Sequence, residues 1–191
     1  ILAVEPFATF AGFDAVTRTY AHITPLSDVV ALADIVDPRG GAIASATINL
    51  AQEPLLVDEP TLEWQELSLA ALALSVERYA STDAYLALHP GAIVGAVASP
   101  GAEAVASGAA ATPDARAEFS GRVLEAEYRT SELTGQRFIH ATVDAAFPFD
   151  VCLPDGDLPE RDSVIAGTAV LAGSIPTASG DGCGGCGGSC G

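Results

Sequence analysis

The sequence predicts an α+β protein: a mixed α/β N-terminal segment, then a small antiparallel β-barrel-like segment, then a Gly/Cys-rich C-terminal tail. Three observations lead there. Two stretches of the first half repeat apolar residues at helical spacing. From Glu118 onward, β-branched and aromatic runs follow one another between glycines. From Pro176 the chain holds almost nothing that a core can use.

The 191 residues suffice for one ordinary domain or two small ones, and at 49% hydrophobic and 17% charged they support a packed core. Val16 to Ile23 (VTRTYAHI) suits a strand. In LSDVVALADIVD, Leu26, Val29, Val30, Ala33 and Val36 fall near helical spacing, with Ser27 as N-cap and Pro38 as stop, which predicts a short helix. Ala42 to Leu50 follows a Gly40–Gly41 turn and reads as a second strand. Thr61 to Tyr79 predicts the longest helix: Leu67, Ala70, Ala71 and Leu74 share a face, Glu63 and Glu66 suit its N-terminus, and Trp64 anchors it. Leu72, Leu74 and Val76 alternate, as a strand would.

Small residues, prolines and glycines then mark a linker or long loop over 100–117, beginning at Ser99, and separate a mixed subdomain, 1–99, from the barrel, 118–175. The barrel is expected from EFSGRVLEAEYRT, a SELTG turn, QRFIHATVDA, PFDVCL and SVIAGTAVLAGSI, with Gly121 as a bulge or tight bend. In strand count and glycine placement this part, about a third of the chain, loosely resembles an OB-like barrel. No family signature accompanies that likeness.

The tail, 176–191, presents Cys183, Cys186 and Cys190 as C-x2-C-x3-C on a glycine backbone. Such spacing lets thiolates reach one tetrahedral ion, and glycine permits the tight loops that this needs. Cys152 is the expected fourth ligand. In FPFDVCL, Phe149, Val151 and Leu153 take one face of a strand, and Asp150 and Cys152 take the other. Four thiolates suit zinc or an iron–sulfur cluster. Two other readings stand beside this one: disulfides within the tail or to Cys152, and an inert or protein-docking tail.

His140 alternates so as to share a sheet with Cys152 but is expected to be structural, while His89, before Pro90 and Gly91, is expected to cap or be solvated, and His22 is dispersed. Asp155 with Asp157, and Asp58 with Glu59, read as solvated acidic surface. Phe7, Phe10 and Phe13 suit core packing or an apolar face on a partner. The chain has no lysine, so a Walker phosphate loop is excluded, and DGDLPERD lacks the EF-hand spacing. No G-x-S-x-G occurs.

Eight arginines face 25 acids, giving a formal net charge of −17. Such a field repels phosphate backbones and anionic membranes. The chain starts at Ile1 and holds no methionine, which leaves room for a removed signal peptide; cysteine clustering favours the cytoplasm. The expected function is that of a non-catalytic acidic accessory protein with a metal-binding or cluster-binding tail. The alternatives are a structural or scaffolding subunit, with a protein partner or a second copy as neighbour, and a thiol- or metal-dependent enzyme.

Overall fold

The computed structural model describes residues 15–53, 56, 58–109, 113–132 and 134–176. These residues are mostly β. In chain order they form β1 (Thr19–Pro25), β2 (Val30–Val36), β3 (Ala42–Leu50), β4 (Leu62–Tyr79), α1 (Thr82–Leu88), β5 (Val97–Ala98), α2 (Pro100–Ala106), β6 (Arg116–Thr130), β7 (Arg137–Asp144), β8 (Phe149–Pro154) and β9 (Val164–Ser174). Neither helix is long and apolar enough to cross a membrane.

The nine strands pair in the order β1-β2-β3-β9-β4-β8-β7-β6-β5, with β1 also on β4 and β6 also on β9. The pairings therefore close two circuits. One runs β1-β2-β3-β9-β4 and the other β6-β7-β8-β4-β9, and both use the antiparallel β4–β9 ladder. The plans match: β1 meets β4 and β6 meets β9 antiparallel, while β3 meets β9 and β8 meets β4 parallel. The segment 1–99 contributes β4 and the segment 118–175 contributes β9 to this ladder, so strands of both segments pair in one sheet.

Several expected elements take another form. The stretch from Leu26 to Asp37 is a strand, β2, rather than a helix. Ser27 does cap, accepting from the amides of Val29 and Val30, but the turn it closes leads into extended chain. Ala31, Ala33 and Ile35 then face the core at period two. Thr61 to Tyr79 is likewise a strand, because the alternation of Leu67, Leu69 and Ala71 meets partners on both edges, which outweighs the helical propensity of Leu and Ala. All five residues from Leu67 to Ala71 are buried. A strand covered on both faces reads as a continuous apolar run, which is how it passes for a helix.

Trp64 anchors no helix. It sits in β4 at φ 54°, half exposed, with its amide donating to His22 Nδ1 (3.2 Å) and its ring edge-on to the imidazole. The pairing of β1 with β4 shifts register there. The expected linker carries α2, with Ser99 as N-cap and Pro100 in its first turn, and the start of β6. The Ser99 hydroxyl also accepts from the Thr47 amide of β3, docking α2 on the sheet. The irregularity expected at Gly121 lies between Val123 and Glu125 instead. At Gly121 a Cβ would stand 3.0 Å from that of Val143, so a bare backbone lets β7 come close. The strands expected from Val16, Ala42, Glu118, Gln136, Pro148 and Ser163 onward are present as β1, β3, β6, β7, β8 and β9.

One apolar cluster runs through both circuits, from Ile23, Ile35 and Ile48 to Ile139, Phe149 and Val151, by way of Leu67, Leu69 and Leu171. The β4–β9 register shifts between Ala73 and Ser75, which leaves Leu74 facing outward at 58% exposure. Gly167 lies opposite this irregularity at φ +155°, where a Cβ would stand 2.0 Å from the Ser75 carbonyl oxygen. No side chain fits there without moving the ladder. Gly167→Ala is therefore expected to destabilise the protein by about 2 kcal/mol or more. Urea denaturation followed by circular dichroism checks this, and an unchanged midpoint would refute it.

Candidate functional site

On β8 the side chains divide as period two requires. Phe149, Val151 and Leu153 are buried in the core, and Cys152 is half-buried on the opposite face. Backbone register sets its neighbours: Cys152 pairs with Leu72 of β4 on one side and with His140 of β7 on the other, and His140 in turn pairs with Glu127 of β6. Cys152 lines an open cavity of about 630 Å³ with Leu72, Leu74, Phe138 and Arg137. Ser131, Thr134 and Gln136 also line it, and Arg137 is paired there with Asp155 at 2.9 Å. Cys183, Cys186 and Cys190 lie outside the described residues. Among the described residues, no three His, Cys, Asp or Glu side chains converge in a way that could hold a metal ion.

The same face carries a buried polar pair. Asp150, expected to share the face of Cys152, is fully buried and accepts from the amides of Val16 and Thr17 and from the Thr142 hydroxyl. His140 is also buried. Its Nε2 lies 3.4 Å from Asp150 Oδ2 and its Nδ1 3.8 Å from Glu127 Oε1, and Nε2 makes no hydrogen bond. Asp150 thus fixes the chain entering β1 against β8, and the His140 ring lies between the Asp150 and Glu127 carboxylates. His140 does share the sheet with Cys152, directly across from it. A cavity of about 470 Å³ opens beside His140.

A third constellation is hidden from the sequence by the helix–strand ambiguity. In an extended β4, Glu77 and Tyr79 stand two apart on one face. Tyr79 Oη donates to Glu77 Oε2 (2.5 Å) and lies 2.9 Å from His89 Nε2. A phenol has one proton to give, and Glu77 takes it, so His89 Nε2 carries the hydrogen of the second bond. The Glu77 hydrogen bond, with some desolvation, pushes the Tyr79 pKa up to about 12 and keeps the phenol protonated. His89 also caps α1 through its amide, as expected for it, and stacks on Tyr85 at 4.8 Å. An E-x-Y step followed by a capping histidine is the signal that a strand reading would have exposed.

No known family model matches the chain, and no curated protein matches it. Fold and sites define a mostly β protein of two strand-sharing circuits, with a thiol at one cavity and hydrogen-bonded titratable groups at two others.

Glu53 is the remaining buried acid. Neither carboxylate oxygen has a hydrogen-bond partner among the described residues. Burial pushes its pKa up from 4.5 to about 7, opposed in part by the Leu26 amide, which is itself committed to the Val30 carbonyl. A folded pKa above the unfolded one means that the native state binds the extra proton. The associated stability is full below about pH 4.5 and is lost as pH rises through 7, on the order of 3 kcal/mol in all. Glu53→Gln, which cannot ionise, is expected to lack this loss and to be more stable than the parent at pH 8. Urea titrations of both proteins at pH 5 and pH 8 measure it; equal losses in the two would overturn the assignment.

Proposed function

We propose that the protein is a non-catalytic, acidic accessory protein in which Cys183, Cys186 and Cys190 bind a metal ion, zinc or the iron of an iron–sulfur cluster, with Cys152 as the fourth thiolate. The observation that carries this reading is the place of Cys152, outward-facing and half-buried at a cavity edge while its strand neighbours fill the core. Chain length supports it. Ser174 pairs with Ser68 and Cys152 with Leu72, so the end of β9 and the thiol stand roughly 13 Å apart along β4. The seven-residue step from Pro176 to Cys183 spans up to about 23 Å.

Leu72, Leu74, Phe138 and Leu153 form the apolar side of the Cys152 cavity, and apolar surroundings strengthen a thiolate–metal bond. We read the circuit of β6, β7, β8 and β9 of the expected OB-like segment, closed by β4 from outside it, as the platform that holds Cys152. Free thiolates imply a reducing compartment, and we place the protein in the cytoplasm. A partner protein or a second copy is the expected neighbour.

Elemental analysis of freshly purified protein, with a thiol titration under denaturing conditions, tests this. Near-stoichiometric zinc or iron is expected, lost on deletion of residues 176–191 and severely reduced in Cys186→Ser. Cys152→Ser is expected to weaken zinc binding by about tenfold or more, and binding is expected to release protons. Full metal content in Cys186→Ser, or no metal with four free thiols, would defeat the proposal.

A further inference from the structure

The outer face of β4, β9 and β6 forms a groove whose chemistry differs from that of the Cys152 cavity. Register builds it. Glu77 and Ser75 of β4 pair with Ala166 and Thr168 of β9, which pair in turn with Ser120 and Glu118 of β6. All six therefore lie on one face. The floor is the small-residue run Ala166, Gly167 and Thr168. Glu77 rises from one wall and Glu118 from the other, set diagonally about 12 Å apart at the backbone, two strand spacings of about 4.8 Å across and two residues of about 3.4 Å along. The opening holds about 400 Å³, within the range of small-molecule sites.

One end is closed by rings. Tyr79 and Tyr85 meet edge-to-face at 5.0 Å, and His89 lies tilted on Tyr85. The hydrogen bonds run from His89 through Tyr79 to Glu77, so the chain terminates on an acceptor oxygen of Glu77. No arginine lines the groove. Arg78, next to Glu77 in sequence, reaches away to the Asp157 carbonyl, and Arg116 pairs with Asp114. Two carboxylates face each other with no cation of the protein between them, beside aromatic rings suited to a cation, in a molecule of formal charge −17.

We propose that this groove binds a small aliphatic diammonium ion, one ammonium to each wall and its methylene chain along the floor. A single metal ion does not suit the arrangement, because two carboxylates on backbone positions about 12 Å apart have no third ligating side chain among the described residues. A flexible chain with a charge at each end does. Apolar methylenes suit Ala166 and Gly167, and the ammonium at the Glu77 end lies beside the rings.

Isothermal titration of the full chain with 1,5-diaminopentane, at low ionic strength and pH 7.5, tests the assignment, with 1,5-pentanediol as the uncharged control. Saturable one-to-one binding of the diamine and none of the diol is expected. Glu118→Gln is expected to weaken binding by about fivefold, as is usual for loss of one exposed ion pair. Glu160→Gln, which removes an equal charge outside the groove, is expected to leave it unchanged. Circular dichroism verifies that each variant is folded, and Glu77→Gln on the other wall serves if Glu118→Gln is not. Absence of saturable binding, equal binding of the diol, or equal weakening by the Glu118 and Glu160 changes would each overturn the proposal. None of these readouts depends on the tail cysteines.

Discussion

The antiparallel ladder between β4 and β9 carries further backbone pairing beyond itself, with β1 and β8 on β4 and with β6 and β3 on β9. Because each strand of the ladder belongs to both circuits, its register fixes both at once. A slip of one residue would turn Leu67, Leu69 and Ala71 away from the core and bring Ser68 and Ala70 into their place. Gly167 locks that register locally, since only a residue without a Cβ fits against Ser75 where the ladder bulges. The outward turn of Leu74 at the Cys152 cavity and the level floor of the acidic groove both follow from this one irregularity.

How much of this was legible depended on burial. Strands whose two faces differ in chemistry announced themselves: Phe149, Val151 and Leu153 alternate against the polar Asp150 and Cys152, and the division holds in space. Strands with two covered faces did not. Leu67 to Ala71 carries the continuous apolar text of a buried element, and Leu and Ala are helix formers, so propensity and periodicity misled together. Once β4 was read as a helix, Glu77 and Tyr79 no longer shared a face, and the hydrogen-bonded chain to His89 disappeared with them. The small-residue text after Ser99 misled in the opposite sense, because alanine and glycine serve a short helix pressed against β3 as well as they serve a linker.

The polar groups in the interior divide by how they are compensated. Asp150 is fully buried yet accepts from two amides and a hydroxyl, so it ties the chain entering β1 to the outer face of β8. Glu53 is as deeply buried with no such partners among the described residues, and burial raises its pKa to about 7, favouring the neutral acid. Glu77 is exposed and still constrained, because Tyr79 fixes its direction. Three acids in one acidic protein thus act as clamp, titrating liability and recognition group, and their surroundings alone distinguish them.

The shared ladder also dictates when the protein can exist. Ser68 pairs with Ser174 and Tyr79 with Val164, residues about a hundred positions apart in the chain. During synthesis β1, β2 and β3 emerge early, yet their circuit lacks its closing strand until β9, last of the described strands, has left the ribosome. Until then the β4 edge from Ser68 to Tyr79, which holds most of the buried run, lacks its β9 partner, the kind of intermediate that aggregates or engages chaperones. Glu63, Glu66 and Glu77, spaced along that strand, act as gatekeepers whose mutual repulsion keeps two nascent chains from pairing through it. Part of the acidity of this molecule therefore protects its assembly as well as its solubility.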